Sequence, residues 1–133
     1  MADFTVKRVD EMEAVYAGAF IRARASLGAD SFGMQVIEMP PNTDAYPQHD
    51  HSEDGQEEVY IALRGSAEIE IEGERHPLDQ NTMVRVSAGT KRKIYPGDEG
   101  IRVLAIGAIP GKPYEVPEFT ELGTPDPMAE GNS

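Results

Sequence analysis

Within residues 67–78, AEIEIEGERHPL, the first six side chains alternate strictly between apolar and acidic, which predicts the first strand of a β-hairpin. Successive side chains of an extended strand point to opposite faces, so one face of this strand is apolar and the other is charged. At the end of this strand, Glu72 and Gly73 form a typical two-residue turn into a second strand, residues 74–78. A hairpin with one apolar face needs a cover, which indicates a sheet folded over a core.

Short strands of similar length follow one another through the middle of the chain. They are predicted at residues 32–39, 58–63, 67–72, 74–78, 82–86, 91–95 and 101–108. Turns rich in glycine, proline and asparagine separate them at a spacing of about 8 to 12 residues, which is typical of a sandwich or barrel. We therefore predict an all-β barrel of the jelly-roll kind over residues 32–109.

The segment before the barrel, residues 1–31, is expected to pack on it. Residues 10–15 can form a short helix, because Asp10 is a good N-cap and acids suit the first turn. Residues 19–27 predict an extended segment that closes in a helical turn before Gly28.

The segment after the barrel, residues 110–133, is dominated by proline, glycine and acids. Such a composition predicts an irregular arm, laid on the surface through Tyr114 and Phe119 and disordered at its very end.

Composition narrows the classes of partner and compartment. The 24 acidic and 12 basic residues give a net charge of -12, which repels phosphate backbones and anionic membrane surfaces. We therefore expect neither nucleic acid nor a membrane as partner. The lack of cysteine excludes disulfides and thiolate metal sites and fits a reducing compartment. Without an apolar run of secretory or membrane-spanning length, the sequence predicts a soluble cytoplasmic protein.

Residues 48–65 concentrate the side chains that can do chemistry. His49 and His51 lie two apart, so an extended strand would aim both imidazoles at one point. Glu58 opens an apolar run that ends at Gly65, and its carboxylate could meet the histidines from a neighbouring strand. Two imidazoles and one carboxylate with open positions suit a divalent ion such as Zn, Ni, Mn or Fe.

Other polar residues near this cluster have less certain roles. Gln56 is the first choice for an extra ligand, and Glu57 could replace Glu58. Tyr46 and Tyr60 could place hydroxyl groups in a ligand cavity, or they could be core residues. Asp54 is expected only to solvate the loop, and no residue is identified as catalytic.

With these residues in place, the chain resembles a small single-domain cupin. The first motif of that family is His-x-His, a few residues, Glu, six residues and Gly, and here His49, His51, Glu58 and Gly65 match it. The gap SEDGQE before Glu58 is longer than the usual spacing, so a longer loop must return the carboxylate. The resemblance covers residues 32–109, about three-fifths of the chain.

The second cupin motif is degenerate here. Its turn glycine is present as Gly89, but Arg92 stands where the resemblance places a metal-binding histidine. A guanidinium only donates and stays charged, so it cannot ligate a metal. If Arg92 points inward, it binds an anionic group or pairs with Glu58 in a metal-free site. If Lys91 or Lys93 points inward instead, Arg92 is solvated.

The resemblance implies a double-stranded β-helix that is often dimeric, in a family of dioxygenases, isomerases, sugar epimerases and non-catalytic binding or storage proteins. A fold that supports so many activities does not by itself identify the activity of one member. The sequence thus predicts a metal-binding cupin that takes a small-molecule ligand. The alternative is a metal-free cupin that binds or senses a small anion through Arg92. A homodimer is expected from the family habit and from the run at residues 58–63, which is apolar on both faces.

Overall fold

The computed structural model describes residues 2–130 of the 133-residue chain, and strands dominate it. The strands are β1 (Ala14–Val15), β2 (Phe20–Ile21), β3 (Gly33–Met39), β4 (Glu57–Ile71), β5 (Glu74–Leu78), β6 (Val84–Val86) and β7 (Arg92–Ala108). The helices are short: α1 (Ala23–Leu27), α2 (Pro127–Glu130) and the 3-10 turns Val9–Glu11 and Glu118–Thr120. No helix within the described range is long and apolar enough to cross a membrane. The all-β prediction is confirmed.

All the strands pair antiparallel in the order β1-β2-β3-β7-β4-β5, with β6 paired to β4. The two long strands β4 and β7 pair over three stretches, residues 57–62 with 103–108, residues 64–65 with 101–102 and residues 67–71 with 92–96. Between these stretches the register shifts, so both strands bend and each contributes to two walls. The bend rolls the sheet around one interior.

The sequence prediction of separate strands at 58–63 and 67–72 is wrong in one respect, because β4 continues through Gly65. Gly65 has a φ of 72°, and a Cβ at this position would overlap the backbone carbonyl oxygen of Gly100. Gly100 itself has a φ of 71°. Two glycines therefore let the bent strands pack backbone to backbone without a break. In the same way β7 runs through the glycine- and proline-rich segment 96–100 that predicted a loop.

The predicted hairpin between β4 and β5 is present. Ile71 pairs with Glu74, which leaves Glu72 and Gly73 as a two-residue loop with φ values of 51° and 84°. Positive φ at both positions is the turn that matches the right-handed twist of the strands.

The barrel interior is filled from both walls. Its fully buried hydrophobic side chains include Tyr60, Ile69, Leu78, Ile94 and Val103, each 0% exposed. A smaller second cluster of Ile21, Ala23 and Val36 lies where the N-terminal segment covers the outer face of β3. At about 25 cal/mol per Å² of apolar surface, burial of this kind is the main contribution to the stability of the barrel.

The N-terminal segment differs from the prediction of a helix over residues 10–15. Only Val9–Glu11 is helical, as a 3-10 turn, and Ala14–Val15 pairs with β2 instead. Tertiary pairing outweighs local propensity here, since the strand satisfies backbone groups that a one-turn helix leaves free. The helical turn expected next is α1, which ends at Gly28 with a φ of 79°.

The C-terminal arm crosses back over the N-terminal segment and is held there by polar and aromatic contacts. Arg22, 0% exposed, donates to the carboxylate of Glu13 and to the carbonyl oxygen of Thr124 at 3.1 Å. The ring centroids of Phe119 and Phe20 lie 5.2 Å apart. The expectation of disorder concerned the extreme end of the arm, and residues 131–133 lie outside the described range.

Candidate metal centre

The segment that carries His49 and His51 is not the strand that the sequence predicted. His49 forms an isolated bridge with Arg92, with backbone N–H to O distances of 3.0 and 2.9 Å, and the amide of His51 donates to Ala88 at 2.7 Å. These few backbone bonds are enough to fix the segment across the end of β7. The two imidazole rings still meet, with centroids 5.1 Å apart.

Glu58 reaches the two imidazoles from β4. Its Oε1 lies 2.9 Å from His51 Nε2 and 3.8 Å from His49 Nε2. One ligand atom from each of the three residues lies within 4.8 Å of the others. The structure therefore brings together the three residues that the sequence predicted as metal ligands.

The hydrogen bonds of the two rings leave Nε2 of each ring available. His49 Nδ1 lies 3.3 Å from the carbonyl oxygen of Pro47, and His51 Nδ1 lies 3.1 Å from both carboxylate oxygens of Asp54. Both oxygens only accept, so the network assigns the proton of each neutral ring to Nδ1. The lone pairs on Nε2 then face Glu58. His51 Nε2 is buried and makes no hydrogen bond of good geometry within residues 2–130.

Electrostatics keep Glu58 ionised and favour charge on His51. Burial alone would raise the pKa of Glu58, but the imidazoles of His49 and His51 and the hydroxyl of Tyr60 outweigh it and hold that pKa well below its usual range. Burial alone would lower the pKa of His51, but the carboxylates of Glu58 and Asp54 outweigh it and raise that pKa. The cluster is a negative centre that attracts protons or metal ions.

The two tyrosines predicted as cavity residues border the cluster. The Tyr60 hydroxyl donates to Glu58 Oε1 at 2.6 Å, and the Tyr46 ring stacks edge-on against His49 at 5.6 Å. Burial, followed by the nearby Glu58 carboxylate, raises the pKa of both phenols. Both hydroxyls therefore stay protonated, and Tyr60 orients the carboxylate of Glu58.

Asp54 corrects an expectation from the sequence, because it does more than solvate the loop. Its carboxylate accepts hydrogen bonds from the ring of His51, from the backbone N–H of Gln56 at 3.1 Å and from the side-chain Nε2 of Gln56 at 3.2 Å. Asp54 thus orients a candidate ligand, as carboxylates behind metal-bound histidines do. The only hint in the sequence is its position three residues after His51.

The two residues proposed as extra ligands lie in different places, and only one of them is near the cluster. Gln56 is buried behind His51, where its side chain bonds Asp54. Glu57 points to the opposite face of β4 and pairs with Arg85 at 2.7 Å. Adjacent residues of a strand face opposite ways, so Glu57 cannot join a cluster that contains Glu58.

Arg92 is buried in the barrel interior, 0% exposed, while Lys91 beside it is exposed. It is the bridge partner of His49, and directly opposed residues extend from the same face. Its Nη2 donates to the carbonyl oxygen of Ser87 at 3.0 Å. Nε and Nη1 find no hydrogen-bond partner in the described part of the chain, and no ion pair joins the guanidinium to Glu58 there.

The geometry of the cluster fits a divalent ion. Two atoms that share an ion at roughly 2.0–2.2 Å lie roughly 3 to 4 Å apart, as Glu58 Oε1 does from the two Nε2 atoms. Two neutral nitrogens and one carboxylate, each with an outer hydrogen-bond partner, are the donor set of an open metal site. His51 Nε2, which is buried and makes no hydrogen bond of good geometry among the described residues, is the atom that an ion would satisfy.

Comparison with known proteins places these residues in a family. A family model described as "Cupin domain" matches residues 35–107. The search of curated proteins gave no match. Among solved structures, a cupin protein from Bacteroides fragilis is 21% identical, with a TM-score of 0.66 over 94% of this chain and 100% of its own. The protein TT1209 from Thermus thermophilus is 18% identical, with a TM-score of 0.61 over 78% and 96%. The Cupin_2 domain of an XRE family transcriptional regulator from Enterobacter cloacae is 19% identical, with a TM-score of 0.53 over 62% and 86%.

Proposed function

The chain belongs to the cupin domain family, and from that premise we propose that it binds a divalent transition-metal ion through His49, His51 and Glu58 and presents the ion to a small molecule. Zn, Ni, Mn and Fe all suit this donor set. Three ligands leave coordination positions for water or for an oxygen-bearing molecule, which a bound divalent ion polarises as a Lewis acid.

The observation that supports this proposal is the hydrogen bonding of the two histidines. Both rings donate from Nδ1 to a fixed oxygen, of Pro47 and of Asp54, and both turn Nε2 toward the same oxygen of Glu58. Two solvated surface histidines would not be expected to share both the same tautomer and the same orientation. Oxygen atoms that accept from the outer ring nitrogen in this way hold metal-bound imidazoles in place.

The protein residues around the site have separate roles in this proposal. Tyr60 donates to Glu58 Oε1 and so fixes the rotamer of the carboxylate. Asp54 holds the ring of His51, and Gln56 holds Asp54. The cluster is therefore supported from both sides before any ligand binds, which lowers the entropic cost of binding.

Replacing Asp54 with asparagine is expected to weaken metal binding by roughly 10- to 100-fold, because an amide is a poorer acceptor for the ring N–H of His51. Chelator competition titrations measure this affinity. Glu53→Gln is the matched control, since it removes the same charge from an exposed neighbouring position in the loop. If the two variants bind metal equally, Asp54 does not support a metal ligand.

Metal binding is expected to weaken as the pH falls, and the pKa of His51 determines the pH at which the weakening begins. Its pKa is raised above the ordinary value of about 6.5, whereas that of Glu58 is lowered, so His51 takes up a proton before Glu58 does. Affinity should stay level above the raised pKa and fall about tenfold per pH unit below it for each proton displaced. Titrations from about pH 8 to about pH 5 measure this, and a flat profile would exclude imidazole ligation.

A second candidate function rests on Arg92. Its buried Nε and Nη1 lack partners within residues 2–130, and a buried guanidinium in that state is suited to bind an anion. In this alternative the cupin holds a small anion without metal, in a binding or sensing role. It predicts no stoichiometric metal and a His49→Ala, His51→Ala variant that behaves like the wild type.

The homodimer and the cytoplasmic location expected from the sequence stay predictions. Light scattering coupled to size-exclusion chromatography tests the first of them directly.

A further inference from the structure

The C-terminal arm passes the candidate metal centre before it reaches its anchors on the N-terminal segment. Within the described chain, no backbone hydrogen bond joins residues 113–119 to the barrel. The anchors lie further along the arm. The backbone N–H of Tyr16 donates to the carboxylate of Asp126 at 3.0 Å. The backbone N–H of Gly123 donates to the carboxylate of Glu13 at 2.9 Å. The position of residues 113–119 therefore depends on these anchors and on their own side chains.

A pair of glycines on the barrel wall makes room for one side chain from the arm, Tyr114. Gly33 of β3 lies directly opposite Gly107 of β7. A Cβ on Gly33 would lie 2.6 Å from the Tyr114 hydroxyl, and a Cβ on Gly107 would lie 2.5 Å from Gln56 Oε1. Directly opposed residues extend from the same face of a sheet, so the hydroxyl and the carboxamide occupy neighbouring spaces over this glycine pair. Alanine at either position would displace one of the two groups.

The Tyr114 hydroxyl lies next to the hydrogen bonds that hold His51. Tyr114 lines one cavity together with His51, Asp54 and Gln56. Burial raises the pKa of Tyr114, and the carboxylate of Asp54 and the side chain of Gln56 are among the groups that also act on it. The phenol therefore stays protonated and offers a donor on the side of Gln56 Oε1. Gln56 Nε2 in turn donates to Asp54, which accepts from His51.

We propose that Tyr114 is a positioning residue of the metal centre, which holds Gln56 and through it Asp54 and His51 while the arm is anchored. The inference rests on the proposed metal site and makes the arm a part of it. Coupling between two equilibria is reciprocal, so an anchored arm strengthens metal binding and a bound ion keeps the arm anchored by the same factor. A role of Tyr114 in stability alone would give no such dependence of the arm on metal.

Tyr114→Phe keeps the ring and removes the hydroxyl, and it is expected to weaken Zn²⁺ binding by about three- to tenfold in chelator competition. Asp126→Ala should weaken it from the other end of the arm, because it removes the acceptor of the Tyr16 N–H. Since both changes act through the same side chains, their effects should not add in the double variant. Tyr95→Phe is the matched control, because that ring lies under Arg75 and outside the cavity.

Amide hydrogen exchange measures the reciprocal effect. Saturating Zn²⁺ should slow the exchange of the backbone N–H groups of Tyr16 and Gly123 by a similar factor of about three to ten, because both anchor the arm. In Tyr114→Phe most of this zinc effect should disappear. The N–H of Asn81, which donates to the carboxylate of Asp79 at 2.9 Å in the turn between β5 and β6, is the control that should not respond.

Zn²⁺ uptake by the wild type, measured first, separates the two proposals. If the protein binds zinc but Tyr114→Phe binds it as tightly, the role of Tyr114 is overturned and the metal site remains. The same holds if zinc leaves the exchange of the Tyr16 and Gly123 amides unchanged, or if the effects of Tyr114→Phe and Asp126→Ala simply add. If the wild type takes up no zinc, the proposed function itself fails and the inference fails with it.

Discussion

Protein purified without a histidine tag is expected to carry about one equivalent of divalent metal, and the His49→Ala, His51→Ala double variant almost none. The double substitution removes both Nε2 donors and leaves only the carboxylate of Glu58. Affinity should fall by at least about a hundredfold, since a lost ligand costs no less than a lost outer-shell partner. Elemental analysis gives the stoichiometry, and chelator competition gives the affinity.

His76→Ala is the matched control for that experiment. His76 lies on β5 with a side chain that is 48% exposed, and its ring is 3.7 Å from the carboxylate of Glu74. Its loss also lowers the number of histidines but should leave the metal content unchanged. If the wild type and the control carry no more metal than the double variant, and none of them carries a stoichiometric amount, the metal-free alternative based on Arg92 is favoured.

Gly65→Ala is expected to destabilise the barrel by roughly 3 to 5 kcal/mol. Gly65 has a left-handed φ of 72°, and an added methyl group would overlap the carbonyl oxygen of Gly100. Backbone atoms of β7 cannot move aside as a side chain can. Urea unfolding followed by circular dichroism measures the loss as a lower midpoint.

Gly73→Ala separates the two contributions to this loss. Gly73 has a similar φ of 84°, but its added Cβ would meet no atom within 4 Å. It should cost only about 1 kcal/mol, from the left-handed conformation alone. If the two alanine variants are equally stable, the close approach of β4 and β7 at Gly65 does not limit the fold.

The hairpin at residues 67–78 shows how much of the fold could be predicted from the sequence. The alternation of apolar and acidic residues predicted which face of the strand is buried, and the Glu72-Gly73 pair predicted the register of the hairpin. The continuity of β4 and β7 could not be predicted, because glycine and proline end most strands. Here Gly65 and Gly100 instead allow two bent strands to pack closely, a contact between residues far apart in the chain.

The candidate site, like the fold, could be predicted from the sequence only in part. His49, His51 and Glu58 could be selected because their residue types and spacing are themselves informative. The role of Asp54 depends on a loop conformation that turns it back to His51, which no local pattern encodes.

The most direct test is anomalous diffraction from crystals of the protein grown with Zn²⁺. The proposed site predicts that the strongest anomalous peak lies within about 2.0–2.3 Å of Nε2 of His49, Nε2 of His51 and a carboxylate oxygen of Glu58. A strongest peak elsewhere, or imidazoles that face bulk water with no peak between them, would contradict it.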